Sequence, residues 1–215
     1  MLELMIPLYL EFPEPHVTID ISVVSTKASR AESPYASLDF INTANAVLES
    51  NGLSSHKAFR AIGTHTLTSD FPVYSRSSSL FSNLRGSRSL LQIIQGSDVP
   101  AWSKEAQELK GKADVLVLLT ARSETLDDKG GYGTLGTDIG YVWVIGTLAG
   151  NTTAGMHELG HVLGLKHTND PETLMYPYVS QSEPIGPENL KILMSNWAKV
   201  SHLSVKHGGW KPPRK

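Results

Sequence analysis

Residues 157 to 167 read H-E-L-G-H-V-L-G-L-K-H. His157 and His161 are four apart, so on a helix both imidazoles project from one face, with Glu158 on the adjoining side. Leu159, Val162 and Leu163 cover the other faces, which suits a helix buried in the protein. Gly164 follows three residues after His161, where the chain must leave the helix through a left-handed residue that glycine adopts cheaply. That turn brings His167 round as a third nitrogen ligand. Three neutral imidazoles leave one tetrahedral position of Zn²⁺ open to water, the pattern of a catalytic site rather than a closed structural one. At this chain's own His, Glu and Gly frequencies, accidental occurrences of the pattern are expected on the order of 5 × 10⁻⁵ times. For His16, His56, His65, His202 and His207 the plainer reading holds, a hydrogen-bonded core or surface histidine.

Composition narrows the chemistry further. The chain has 215 residues and no cysteine, which excludes disulfides, thiolate-held zinc, iron–sulfur clusters and thiol nucleophiles. A formal net charge of −2 gives no basic field for nucleic acid, and no nucleic-acid partner is expected. Residues 1 to 15 hold a short apolar run, Leu4 to Leu10, without a basic segment before it, and read poorly as a signal peptide. No apolar stretch reaches the roughly 20 residues that span a bilayer, so no membrane span is expected. The length suits one domain.

The elements that position these residues follow from apolar spacing. Val17, Ile19, Ile21 and Val23 alternate, as in a half-buried strand. Ser33-Pro34 reads as a helix cap, and Phe40, Ala44, Val47 and Leu48 recur at helical spacing until Asn51-Gly52. Residues 57 to 67 read as a second strand, and Ala113 to Thr120 and Tyr141 to Thr147 as strands buried on both faces. The serine-rich stretch 75 to 89 reads as a solvated loop. Asp127 and Asp128 beside two glycines offer oxygens to Ca²⁺, with a solvated turn the favoured reading. Pro187 opens a helix with Leu190, Leu193, Met194 and Trp197 as its apolar face, and residues 201 to 215 read as a loosely held basic tail.

The string H-E-x-x-H-x-x-G-x-x-H resembles the signature of the metzincin metallopeptidases. Thr173-Leu174-Met175-Tyr176-Pro177 resembles the methionine turn of that clan, and the stretch from His157 to Pro177 is most similar to the matrixins. The resemblance implies an α+β, zincin-like fold in one catalytic domain, residues 1 to 215. Its N-terminal lobe, about 16 to 164, would hold a twisted mixed five-stranded sheet and the active-site helix. A smaller C-terminal lobe, about 165 to 200, would carry His167 and the turn. Met175 would form an apolar floor under the zinc without ligating it. Gly133, Thr134, Leu135 and Gly136 would line the cleft as an edge strand pairing with an extended substrate. Pro177, Tyr178 and Val179 would wall the pocket for the residue after the scissile bond, with plain packing the safer reading for Tyr178.

The chain also departs from that pattern. It has no cysteine for a cysteine switch, and residues 121 to 136 have no histidine for a second, structural zinc. Pro177 stands where some relatives carry a zinc-ligating tyrosine. The expected activity is hydrolysis of peptide bonds in protein substrates by a zinc-activated water, with Glu158 as general base. The alternatives are a catalytically silent, zinc-stabilised binding or adhesion module, and a hydrolase of a non-peptide amide. A monomer is expected. Metzincins are mostly secreted, which favours an extracellular setting.

Overall fold

In the computed structural model the described residues are 17–54, 57–71, 101–124, 131–133, 141–145, 152–178 and 183–204. Five strands among them form one sheet: β1 (Val17–Ser25), β2 (Lys57–Thr66), β3 (Val115–Thr120), β4 (Gly131–Gly133) and β5 (Tyr141–Ile145). The spatial order is β2-β1-β3-β5-β4, with all neighbours parallel except the antiparallel edge strand β4. The helices are α1 (Lys27–Glu32), α2 (Ala36–Ser50), α3 (Ala101–Lys110), α4 (Thr152–Val162) and α5 (Pro187–Ser204). None of the described helices is long and apolar enough to cross a membrane.

Period-two side chains divide the sheet into two covered faces. Ile19, Ile21, Val23, Val115, Val117, Leu119, Val142 and Val144 share the main core with α2, α4 and α5, which contribute Phe40, Leu48, Met156, Leu159, Leu193 and Trp197. Trp197 meets Phe59 of β2 with ring centroids 4.9 Å apart, so the last helix is anchored against the first half of the chain. Leu116 and Leu118 are buried on the opposite face, which α3 covers with its buried Trp102 and Ala106. Ser22 donates from Oγ to the Leu109 carbonyl at 2.8 Å, which satisfies a hydroxyl that this second layer encloses.

Several boundaries differ from the spacing-based expectations. β1 is not half-buried, because Asp20, Ser22 and Val24, on the face expected to be wet, are buried as well. Parallel pairing to β2 and β3 makes it a central strand covered on both sides. Ser33 does not cap α2: it ends α1, and α2 starts after Tyr35 without a side-chain cap. The short α1 exists because Thr26 accepts from the Ser29 amide at 3.1 Å. Thr26 also donates to the buried Glu124 at 2.5 Å, and Glu124 accepts the Ala121 amide at 2.7 Å. α5 runs through Ser204, so the first four residues of the expected basic tail are helical. Met194 is 45 % exposed and falls off the apolar face that Leu193 and Trp197 define. The serine-rich stretch 75 to 89, Asp127 and Asp128, and the tail beyond residue 204 lie outside the described residues.

Candidate metal centre

α4 carries the first two histidines because its other side is apolar: Met156 and Leu159 are fully buried in the core. The helix stops as its sequence dictates. Gly164 adopts φ +88°, the Leu165 amide reaches back to the Gly160 carbonyl at 2.9 Å, and the Gly164 amide to the His161 carbonyl at 2.9 Å. Those two bonds around a left-handed glycine are a Schellman termination, which turns the chain sharply off the helix axis. His167 is thereby returned over the face that carries His157 and His161. Its Nε2 lies 3.2 Å from Nε2 of His157 and 3.0 Å from Nε2 of His161.

The other ring nitrogens decide what those three atoms are. A backbone carbonyl only accepts, so His157 donates from Nδ1 to the Leu174 carbonyl at 2.7 Å, and His161 donates from Nδ1 to the Leu165 carbonyl at 3.0 Å. Each neutral ring then turns a bare Nε2 lone pair inward. Burial lowers the His157 pKa, and burial lowers that of His161 to about 4 against the pull of the Leu165 carbonyl. Both rings are therefore neutral near pH 7, the state a metal ligand requires. Zn–N bonds of about 2.0–2.1 Å at tetrahedral angles place ligand nitrogens about 3.3 Å apart, close to the observed spacings. The three ligand atoms all lie within 4.8 Å of one another, and the set fits a single divalent ion of zinc's size and softness.

The residues around this cluster are placed as follows. Glu158 follows His157 on α4 and is half-buried. Met175 is fully buried, and its sulfur lies against Gly160 so closely that a Cβ there would be 2.8 Å away. Met175 thus packs under the histidine helix, while its carbonyl accepts the Thr168 amide at 3.0 Å. Gly133 ends β4 directly against α4, where a Cβ would overlap the Glu158 carbonyl and approach Cβ of His161 to 3.0 Å. Pro177 and Tyr178 are exposed, Tyr178 by 73 %, with its ring 5.5 Å from that of Tyr176. Tyr178 thus packs on Tyr176 at the surface rather than in the core. Thr134, Leu135, Gly136 and Val179 lie outside the described residues.

Spacing alone missed the groups that hold this arrangement in place. They include the Leu174 and Leu165 carbonyls and three asparagine side chains. Asn51 donates to the Glu183 carbonyl at 3.1 Å and accepts the Ile185 amide at 2.8 Å. Asn189 accepts the Lys166 amide at 3.0 Å and donates to the Lys166 carbonyl at 2.8 Å. Asn196 donates to the Leu163 carbonyl at 2.8 Å. A signal was available for two of them, because Asn189 and Asn196 sit seven apart in α5, on the side of Leu193 and Trp197.

Comparison with known proteins bears on the same region. Residues 122–200 match the matrixin family model. A 45-residue stretch is 47% identical to matrix metalloproteinase-20 of Homo sapiens, covering 20% of this chain and 9% of that protein. The chain thus aligns with less than a tenth of that relative's length. The backbone is also similar to a chain in a solved structure of a chaperone–substrate complex, with a TM-score of 0.58 and 17% identity over 87% of this chain and 35% of that one. At that identity the likeness concerns the fold alone. The family model, whose matched residues include the three histidines, and the partial relative together support a matrixin-like family.

Proposed function

We propose that this chain is a zinc-dependent endopeptidase of the matrixin-like metzincins, in a zincin-like fold divided near residue 164 into an N-terminal and a smaller C-terminal lobe. The carrying observation is the convergence of three histidine Nε2 atoms, two of them left as bare lone pairs because carbonyls behind the rings hold the proton on Nδ1. His157, His161 and His167 would hold the ion. Zinc bound there supplies a Lewis acid and lowers the pKa of water to about 7.

The chain's own groups carry the rest of the chemistry. Glu158 is the general base, taking the proton from the attacking water and returning it to the leaving amine. Met175 keeps the floor under the ligand helix apolar and rigid. The backbone of β4 offers an edge to an extended peptide, and Pro177 with Tyr178 forms part of the wall of the side-chain pocket. Tyr178 has the exposure that contact with a substrate requires.

The test is Glu158→Ala. The variant should keep about one zinc per chain and lose casein hydrolysis by at least about a thousandfold, in keeping with the loss of a positioned base. Activity near that of the parent would overturn the assignment. A metal-binding module without turnover would instead show zinc in the parent and no cleavage inhibited by 1,10-phenanthroline.

A further inference from the structure

His167 differs from its two partners in how it is held. His157 and His161 ride on α4, and each has its Nδ1 fixed by a carbonyl. His167 is exposed and lies beyond the helix, and among the described residues no backbone carbonyl takes its Nδ1. Its direction must therefore come from the backbone on either side. On one side the Thr168 amide is bonded to the Met175 carbonyl. On the other, both polar groups of Lys166 are taken by one side chain, the primary amide of Asn189.

We infer that Asn189 is a positioning residue for the metal centre, which sets the third ligand His167 by clamping the peptide groups of Lys166; this rests on the zinc reading above. Asn189 is 4 % exposed and lies in the first turn of α5, a helix fixed to the sheet side of the core through Leu193 and Trp197. The clamp is thus rigid at its base. Its chemistry is specific to an amide, because one oxygen must accept an N–H while one nitrogen donates to a C=O. An aspartate of the same shape keeps the first bond and sets a carboxylate against the Lys166 carbonyl. Asn196, seven residues on, serves as the internal contrast: it bonds the Leu163 carbonyl at the end of α4, before the turn.

The experiment measures zinc affinity by chelator competition, and the visible spectrum of the Co²⁺-substituted protein, for the parent, Asn189→Asp, Asn189→Ala and Asn196→Ala. Both Asn189 variants should bind zinc about 10- to 100-fold more weakly, the range seen when groups supporting metal ligands are removed. Their Co²⁺ spectra should lose intensity from the tetrahedral form. Asn196→Ala should bind zinc within about threefold of the parent, although it too loses a buried hydrogen bond. If Asn189→Ala does not fold, the isosteric Asn189→Asp carries the test. If neither folds, slow exchange of the Lys166 amide in the parent, weakened by zinc removal no more than amides of β3, would overturn the inference. Equal zinc affinity in parent and folded Asn189 variants would also overturn it, as would equal losses in the Asn189 and Asn196 variants. None of these readouts uses peptide hydrolysis, so a parent that binds zinc normally and cleaves nothing defeats the peptidase proposal and leaves the clamp standing.

Discussion

The spacing of His157, His161 and His167 makes chemistry legible because it depends on local geometry alone: helical period brings two rings together, and one glycine turn brings the third. Gly133 shows a different kind of constraint. The resemblance suggested that it would meet substrate, yet its lack of a side chain is already required by α4, whose Glu158 carbonyl fills the space a Cβ needs. Gly133→Ala should therefore push β4 away from the helix, because the obstacle is backbone and cannot rotate aside. Overpacking of this kind costs about 1–3 kcal/mol. Urea unfolding should show that loss together with a fall in kcat/KM, since the edge strand and the helix of His161 would both shift. A variant as stable as the parent would mean the contact is slack. The carbonyls of Leu174 and Leu165 and the amide of Asn189 were not legible in the same way. Which backbone group faces a ring 17 residues away, or which loop lies beside a helix turn 23 residues on, depends on tertiary packing and not on period.

Among the elements, those whose cause is local matched their spacing: α2 by its apolar stripe, β3 by its unbroken apolar run, and the end of α4 by Gly164. The mismatches have distant causes. α1 depends on Thr26 and on Glu124, 98 residues later, and the full burial of β1 depends on α3 closing its second face. The start of β3 is tied to β1 in a way that makes a pH prediction. Asp114 accepts the Asp20 amide at 2.9 Å, while Asp20 grips Arg60 with both oxygens at 2.8 and 2.9 Å. Burial, with the nearby Asp20 charge adding to it, raises the Asp114 pKa from 3.8 to about 6 despite the Asp20 amide and the Lys110 and Arg60 charges. A carboxyl with a raised folded pKa binds its proton more tightly in the native state. Its effect on stability is therefore absent below about pH 4, grows unfavourable as pH rises, and is complete above about pH 6. Asp114→Asn keeps an oxygen for the Asp20 amide and removes the titration. The variant should match the parent at pH 4 and exceed it by about 1–2 kcal/mol at pH 7.5, a figure reduced for partial solvent exposure. Urea titrations across that range measure the difference; a gap independent of pH would refute ionisation of the half-buried Asp114 carboxyl as its cause.

For the whole molecule the decisive feature is how the chain between α4 and α5 is held. The described residues between them, 165 to 178 and 183 to 186, form no helix or strand, and their order comes from scattered bonds: Thr168 to Met175, Leu174 to Pro184, and the asparagine clamps from α2 and α5. Such a segment buries few apolar side chains of its own, chiefly Leu165, Leu174, Met175 and Ile185. A metal joining His167 to α4 would pin the start of this segment to the helix. With no cysteine in the chain, no disulfide can share that role. Ion binding stabilises the native state by RT ln(1 + [Zn]/Kd), about 4 kcal/mol when zinc exceeds Kd a thousandfold. For a chain of this size that corresponds to a fall in Tm on the order of 10 °C when zinc is stripped with a chelator. The loss should also be uneven. Backbone amides of Leu165, Thr168 and Leu174 should lose protection from hydrogen exchange, whereas those of β1 and β3, enclosed by helices on both faces, should keep theirs until global unfolding. Calorimetry and amide exchange on protein verified as metal-free test both parts. An unchanged Tm would mean that the clamps alone order the segment, and uniform loss of protection would mean that the metal acts on the whole core rather than on this loop.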